Sequence, residues 1–356
     1  MNKRRINVHH LRAVGLGLLS VPYLAYLAFV IRLNQGPVDY ETFMGIGREF
    51  LRGGQVYGEN SYYPLPYVTV FAVFSLLPKF LSLTLWLLLP VVVALLISGW
   101  RPYVLLFAPV FSHFVGGQTS VFGLLGLWGF HRHSRPDQVL GGVWLSLTLL
   151  KPQLGIVPLA YAIGQWWRYW RLHRRVPAQV WGFAMATGAL YAPSFIIWPD
   201  WPVQWLSRPR PLFERAMSGL IPRALLPVAD SASLTYWAIW LVVSGMLLCG
   251  VWLACRRKLS LTPLMLWSFI ASPLVHDYDL IQLVPLLDTP AMRWGAVLLS
   301  LPGWVTILSA YGQDNAWFVF AFIGPGLLGI WLYENRKSAT PVPSGTLAQP
   351  AIGRVS

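Results

Sequence analysis

The sequence predicts an all-α membrane protein that crosses the bilayer many times. Of its 356 residues, 56% are apolar and only 11% are charged, whereas roughly 25% of an ordinary soluble domain is charged. Residues 14–31 form an apolar run about as long as a membrane-spanning helix, and many similar runs follow. This composition excludes a water-soluble enzyme, and it excludes a disordered chain, which needs low hydrophobicity and high charge.

Thirteen apolar segments are candidate spans. They cover residues 11–32, 63–78, 83–99, 103–115, 118–131, 138–150, 152–167, 177–197, 235–255, 261–275, 279–288, 291–308 and 315–333. Both ends of the chain are basic, which places them on the same side and requires an even number of spans. Because the segments at 63–78 and 103–115 are short and contain proline, one early segment is expected to fail, and we predict about 12 transmembrane helices.

The net charge of +14 is explained by where the basic residues lie. Basic clusters between the apolar runs are typical of cytoplasmic loops and argue against a nucleic-acid partner. They predict a cytoplasmic N-terminus at 1–10, a membrane domain at 11–333 with outer loops at 33–62 and 198–234, and a disordered cytoplasmic tail at 334–356. Ten of the thirteen acidic residues then fall on the outer side, so we expect the ionisable chemistry there.

The first outer loop contains a predicted amphipathic helix lying along the membrane surface. Its apolar residues recur at helical spacing: Phe43, Ile46, Gly47, Phe50 and Leu51. Asp39 lies just before this helix, where aspartate is a good N-cap. Taken alone, capping is favoured over catalysis for this residue.

Two clusters further along are compatible with phosphate binding. Gly116, Gly117 and Gln118 open an apolar helix, and a glycine pair at a helix start permits close approach of a phosphate; a tight turn is the simpler interpretation. Lys151 lies in an apolar run at a predicted outer helix end. It would either extend its amine to the interface or contact a phosphate.

Ionisable residues also gather in two outer regions. His276, Asp277 and Asp279 lie within four residues between two predicted spans, and charged groups at membrane depth are costly and usually functional. A divalent metal held by these three residues is an open alternative. Arg208 and Arg210 lie in the second outer loop, although arginines are usually concentrated in cytoplasmic loops. They are either ligands of lipid phosphate or solvated charges.

Together these runs resemble glycosyltransferase family 87, from about Asp39 to His276. The similarity begins with an aspartate in the first loop and continues through five runs: GGQVYG, YPLPYVTVFAVFSLLP, GGQTSVFGLLGL, GGVWLSLTLLKPQLGIVPL and SPLVHDYDLIQLVPLL. The second of these runs starts at Tyr63. The family usually has adjacent prolines where this chain has Pro64 and Pro66.

This resemblance implies a fold of the GT-C type and an inverting, single-displacement transfer from a polyprenyl-phosphate sugar, with mannose favoured. It makes Asp39 the general base and His276 its active-site partner. Substrate or phosphate binding is expected of a further set: Tyr63, Gln118, Lys151, Arg208, Arg210, Asp277 and Asp279.

The resemblance also implies a glycolipid or polysaccharide acceptor, no cofactor, and a multi-pass protein of the plasma membrane with its active site on the outer face. Two alternatives remain open. One is a transporter or flippase for a lipid-linked saccharide, which would need discontinuous helices with ionisable groups at the midplane. The other is a non-catalytic scaffold of the same fold, since fold does not settle function.

Overall fold

A computed structural model describes residues 8–57, 62–207, 219–256, 259–309 and 316–339. Every regular element in these ranges is helical, which confirms the all-α prediction. The α-helices are α1 Val8–Leu33, α2 Val38–Leu51, α3 Leu65–Ser75, α4 Lys79–Ile97, α5 Tyr103–Leu106, α6 Ala108–Gly116, α7 Val121–Arg132, α8 Val139–Leu147, α9 Pro152–His173, α10 Ala178–Ile197, α11 Trp201–Leu206, α12 Leu220–Leu225, α13 Leu234–Ala254, α14 Leu261–Ala271, α15 Pro290–Leu308 and α16 Ile323–Ala339. The 3₁₀ helices are Thr148–Leu150, Asp277–Leu286 and Ala316–Phe322.

Five of the described helices are long and apolar enough to cross a membrane: α1, α4, α10, α13 and α15. The apolar helices α3 and α14 have 11 residues each, so each extends only about 16 Å, roughly half of the hydrocarbon core. The predicted total of about 12 spans therefore stays a prediction.

Large apolar side chains cover the outside of the helix bundle. Leu18, Ile196, Leu241 and Met246 lie on three of the span-length helices and are each more than 60% exposed. A soluble monomer rarely exposes so much contiguous apolar surface. These helix faces are therefore suited to contact with lipid.

Several predicted spans are interrupted, and those at 103–115 and 279–288 show the causes most clearly. The segment at 103–115 is divided into α5 and α6 at Phe107, whose backbone is extended with ψ of 100°. Pro109 lies in the first turn of α6, where its missing N–H costs nothing. The segment at 279–288 forms the 3₁₀ helix Asp277–Leu286, which contains Pro285.

The helices run up and down between two ends of the bundle. At one end, the amine of Lys79 at the start of α4 lies 2.8 Å from Glu41 in the first turn of α2. At the other end, beyond the last turn of α4, the carbonyl of Trp100 accepts a hydrogen bond of 2.6 Å from Arg12 in α1. α1 and α4 are therefore antiparallel neighbours.

The predicted amphipathic helix is present as α2. Phe43 and Gly47 are buried as expected, but Leu51 is 48% exposed. A Cβ on Gly47 would lie 2.5 Å from the backbone of Phe71 in α3, so glycine at this position permits the two helices to touch. At the far end of the chain, α16 continues to Ala339, six residues into the predicted tail, and 340–356 lie outside the described residues.

Candidate functional site

A group of buried polar side chains lies where α6, α7, α9 and the 3₁₀ helix Asp277–Leu286 meet. All its members are at most 9% exposed. We call it the buried polar cluster, and it consists of Ser112, His113, Gln118, Thr119, Ser120, Lys151, Asp277 and Asp279. Most of these groups are hydrogen-bonded to one another or to the residues around them, as expected because each unsatisfied buried group is costly.

The centre of the cluster is an ion pair between Lys151 and Asp279. The Lys151 amine lies 2.5 Å from Oδ1 of Asp279, and the side chains are only 3% and 0% exposed. The hydroxyl of Ser120 donates to the same oxygen at 2.5 Å. Lys151 does lie at a helix start, directly before α9, but the expectation that it reaches out to the interface is wrong, because its charge is neutralised inside the protein.

Asp279 also positions His276. The backbone N–H of His276 donates to Oδ2 of Asp279 at 3.0 Å, so the two oxygens of this carboxylate are engaged on opposite sides. Asp277 instead accepts a hydrogen bond from Ser112. Burial raises the pKa of Asp277 to about 6, although the hydrogen bond from Ser112 opposes the shift. Asp277 and Asp279 thus bind different partners, and no group of three His, Cys, Asp or Glu side chains that could hold a metal ion is found within the described ranges.

The turn between α6 and α7 forms one wall of the cluster. Gly117 adopts a left-handed conformation with φ of +62°, and a Cβ there would lie 3.0 Å from Tyr40. Its carbonyl accepts a 2.8 Å hydrogen bond from the indole of Trp86, and the N–H of Ser120 donates to His113 at 3.0 Å. The glycine pair therefore lies in a tight turn, and α7 begins at Val121, five residues after Gly116.

Asp39 lies in the first turn of α2 and is not its N-cap. The helix begins at Val38, its N-cap is Pro37, and no side chain caps it. The carboxylate of Asp39 instead accepts a hydrogen bond from the amide of Gln118. Burial raises the pKa of Asp39, while the Gln118 hydrogen bond and the positive charge of Lys151 act in the opposite direction.

Four half-buried residues form a rim over the buried polar cluster: Asp39, Tyr63, His276 and Tyr278. The Tyr63 hydroxyl lies 3.2 Å from that of Thr119. The His276 ring stacks on Tyr278 with centroids 5.0 Å apart, and the Lys151 amine lies 4.8 Å from the centre of the same tyrosine ring. The rim therefore combines a carboxylate, an imidazole and two phenols that are accessible from outside the bundle.

The structure brings together most of the residues singled out in the sequence. Asp39 and Asp279 are joined through the short segment 118–120, because Gln118 bonds the first carboxylate and Ser120 the second. The assembled set is Asp39, Tyr63, Gln118, Lys151, His276, Asp277 and Asp279. Arg208 and Arg210 lie outside the described residues.

Sequence reasoning missed Tyr278, Ser112, His113, Thr119 and Ser120. Tyr278 was detectable in principle, because it stands between the two aspartates of the His-Asp-Tyr-Asp run. The other four are polar residues in or beside apolar runs, and only the helix packing shows that Ser112 and Ser120 bond the carboxylates while His113 and Thr119 bond Ser120 and Tyr63 beside them.

This arrangement has a definite chemical capacity. A half-buried carboxylate whose pKa is raised by burial, held by one amide donor, is a stronger base than a fully solvated carboxylate. Asp279 of the buried ion pair holds the backbone of His276, and the ring of Tyr278 stacks on its imidazole. No family model, no curated protein and no solved structure matches this chain.

Proposed function

We propose that this protein is an integral-membrane glycosyltransferase that moves a sugar, with mannose favoured, from a polyprenyl-phosphate donor to a glycolipid or polysaccharide acceptor. The observation that carries the proposal is Asp39, a half-buried carboxylate with a raised pKa that Gln118 holds at the rim of a polar cluster. The resemblance to glycosyltransferase family 87 supplies the substrate class.

In the proposed reaction Asp39 is the general base. It takes the proton from the acceptor hydroxyl as that oxygen attacks the anomeric carbon of the donor sugar. The bond between the anomeric carbon and the phosphate oxygen breaks, and polyprenyl phosphate leaves with the electron pair. One displacement inverts the configuration. Partial burial helps because it brings the pKa of Asp39 closer to the working pH.

The environment of Lys151 changes the role proposed for this residue. Since Asp279 neutralises it and only 3% of its side chain is exposed, Lys151 acts as a positioning residue rather than as a ligand of the donor phosphate. It holds Asp279, which in turn holds His276 through the backbone. His276 and the hydroxyls of Tyr63 and Tyr278 then contact the phosphate, together with the loop arginines Arg208 and Arg210.

The proposed location is the plasma membrane, with the site on its outer face. Arg12 and Arg132 lie at the end of the bundle opposite Asp39, and positively charged helix ends favour the cytoplasmic side. The apolar faces of α10 and α13 would border the bilayer that holds the polyprenyl tail. No cofactor is needed for this displacement.

A transporter or flippase for a lipid-linked saccharide is the second candidate. It is favoured by one observation, the position of the Lys151–Asp279 pair. This pair lies beside two helix interruptions, one between α6 and α7 and one directly before α9, and transporters build their sites at interrupted helices. A flippase would move the intact donor across the bilayer, whereas a transferase would cleave it.

This difference defines the experiment. The purified protein is reconstituted in liposomes with polyprenyl-phosphate mannose labelled in the sugar, and with membrane lipids as acceptor. The proposal predicts labelled glycolipid and an equal amount of released polyprenyl phosphate. Label that crosses the bilayer while still attached to polyprenyl phosphate would identify a flippase. The assay is repeated with polyprenyl-phosphate arabinose. If neither donor crosses the bilayer and neither is cleaved, the protein is a scaffold without catalysis.

A further inference from the structure

A polar cavity lies at the end of the bundle that carries Arg12. Its volume is about 430 Å³, within the usual range for sites that take small ligands. We call it the arginine cavity, because Arg101, Arg132 and Arg293 line it together with His131, Asp288 and Tyr103.

The arginine cavity is separate from the buried polar cluster. α7 connects the two: it begins at Val121, next to Ser120 of the cluster, and ends at Arg132 in the cavity wall. Its 12 residues correspond to about 18 Å at the α-helical rise. A ligand in the cavity therefore cannot touch the residues proposed for catalysis.

The charges in the cavity wall are unbalanced. Three guanidinium groups face one carboxylate, that of Asp288. The Asp288 side chain is 63% exposed, and it lies 3.7 Å from the imidazole of His131. Solvent weakens the attraction of so exposed a carboxylate for its neighbours. The wall thus keeps an excess of positive charge even when His131 is left out of the count.

One of the three arginines is fixed in place. Arg293 donates a hydrogen bond of 2.9 Å to the carbonyl of Leu287 and another to the carbonyl of Asp288, and its guanidinium lies 6.0 Å from the Tyr103 ring centre. Arg101 and Arg132 are exposed and come from two other parts of the chain, the α4–α5 turn and the end of α7. Three separate segments therefore deliver cations to one concave site.

We propose that the arginine cavity binds a phosphate-bearing anion, either the headgroup of an anionic phospholipid or a soluble phosphate. The planar fork of arginine matches phosphate oxygens, and binding by several such forks gives strong, charge-assisted hydrogen bonds. Basic pockets between membrane helices commonly hold phospholipid headgroups. Trp128, which also lines the cavity, is of a residue type that concentrates at the headgroup level of membranes.

The test uses the full-length protein in detergent and three probes: dihexanoyl phosphatidylglycerol, inorganic phosphate, and dihexanoyl phosphatidylcholine as the zwitterionic control. Binding is measured by calorimetry. The variant is Arg101→Gln with Arg132→Gln, which spares the hydrogen-bonded Arg293. The matched control is Arg135→Gln, because Arg135 is an exposed arginine of the same region that already pairs with Asp137 at 2.7 Å and does not line the cavity.

The proposal predicts saturable one-to-one binding of phosphatidylglycerol, of inorganic phosphate or of both, with the pattern identifying the source of the phosphate. The double variant should bind at least about tenfold more weakly, and the Arg135 control should bind like the parent. Because both substituted residues are exposed, the thermal midpoint without ligand should stay within about 2 °C of the parent. Equal binding by parent and double variant would overturn the proposal, and so would failure of both anions to bind the parent or equal binding of phosphatidylcholine.

Discussion

Replacing Lys151 by methionine is expected to cost the fold several kilocalories per mole. The substitution keeps the length of the side chain but leaves the carboxylate of Asp279 without its cation. Since the two side chains are only 3% and 0% exposed, water cannot replace the lost partner. Removing one partner of a buried ion pair typically costs about 3–5 kcal/mol. We therefore expect Lys151→Met to lower the free energy of unfolding by about that amount.

The second variant combines Lys151→Met with Asp279→Asn, which removes both charges. The asparagine oxygen can accept the hydrogen bond from the backbone of His276, and its amide N–H can donate to the hydroxyl of Ser120, so most of the lost stability should return. The control is Lys79→Met. Lys79 pairs with Glu41 at 2.8 Å, but these side chains are 40% and 32% exposed, and such pairs contribute at most about 1 kcal/mol.

Unfolding is followed by tryptophan fluorescence during titration with dodecyl sulfate in mixed micelles, for which the 19 tryptophans give a strong signal. Two results would refute the reasoning. One is a single variant within about 0.5 kcal/mol of the parent. The other is a double variant whose loss of stability equals the sum of the losses of Lys151→Met and Asp279→Asn, each measured alone. Additive effects would mean that the two residues do not interact.

Three further outcomes follow from other parts of the fold. Gly47→Ala should lower the free energy of unfolding by about 1–3 kcal/mol, because the added Cβ would lie 2.5 Å from the backbone of α3. Gly45→Ala should instead raise it by up to about 1 kcal/mol, because no atom lies within 4 Å of the added Cβ. Equal effects of the two substitutions in chemical denaturation would contradict this packing. Burial raises the pKa of Asp277 to about 6 from 3.8, so the folded protein holds a proton that the unfolded chain releases, and stability falls as the pH rises from about 4 to 6. Asp277→Asn should therefore make the free energy of unfolding less dependent on pH, by on the order of 3 kcal/mol between pH 4 and 6. Thermal unfolding at a series of pH values measures this, and a pH profile equal to that of the parent would contradict the burial of Asp277. Finally, in a cysteine-free background, Ser207→Cys should react with an impermeant maleimide from outside the cell and Ser134→Cys only from the cytoplasm, and the reverse pattern would reject the proposed topology.

The fold class was predictable because composition alone determines it. A chain with 56% apolar and 11% charged residues has few alternatives to a helical membrane bundle. The number of spans was not predictable in the same way. The breaks at Phe107 and in the 3₁₀ helix Asp277–Leu286 depend on which backbone groups find partners in neighbouring helices, and hydropathy does not report that.

Membership of the candidate site was largely predictable, but the partners were not. Lys151 and His276 were selected from the sequence because ionisable groups near a membrane are costly, whereas Asp39 was selected through the resemblance to glycosyltransferase family 87. The local pattern favoured a capping role for Asp39 and offered an interfacial position as one of two roles for Lys151. Both are wrong for the same reason: the true partners, Gln118 and Asp279, lie 79 and 128 residues away in the chain. Periodicity and local motifs cannot identify such contacts.

The most direct test of the central claim is the rate of sugar transfer by Asp39→Asn. Asparagine can still accept the hydrogen bond from Gln118, but it cannot take a proton from the acceptor. Loss of a general base typically costs about 10²–10⁴ in rate. The matched control is Glu41→Gln, two residues further along the same helix, whose carboxylate pairs with Lys79 instead. We predict a fall of at least about 100-fold for Asp39→Asn, with unchanged donor binding and thermal midpoint, and near-parent transfer for Glu41→Gln. Transfer by Asp39→Asn at close to the parent rate would contradict the account.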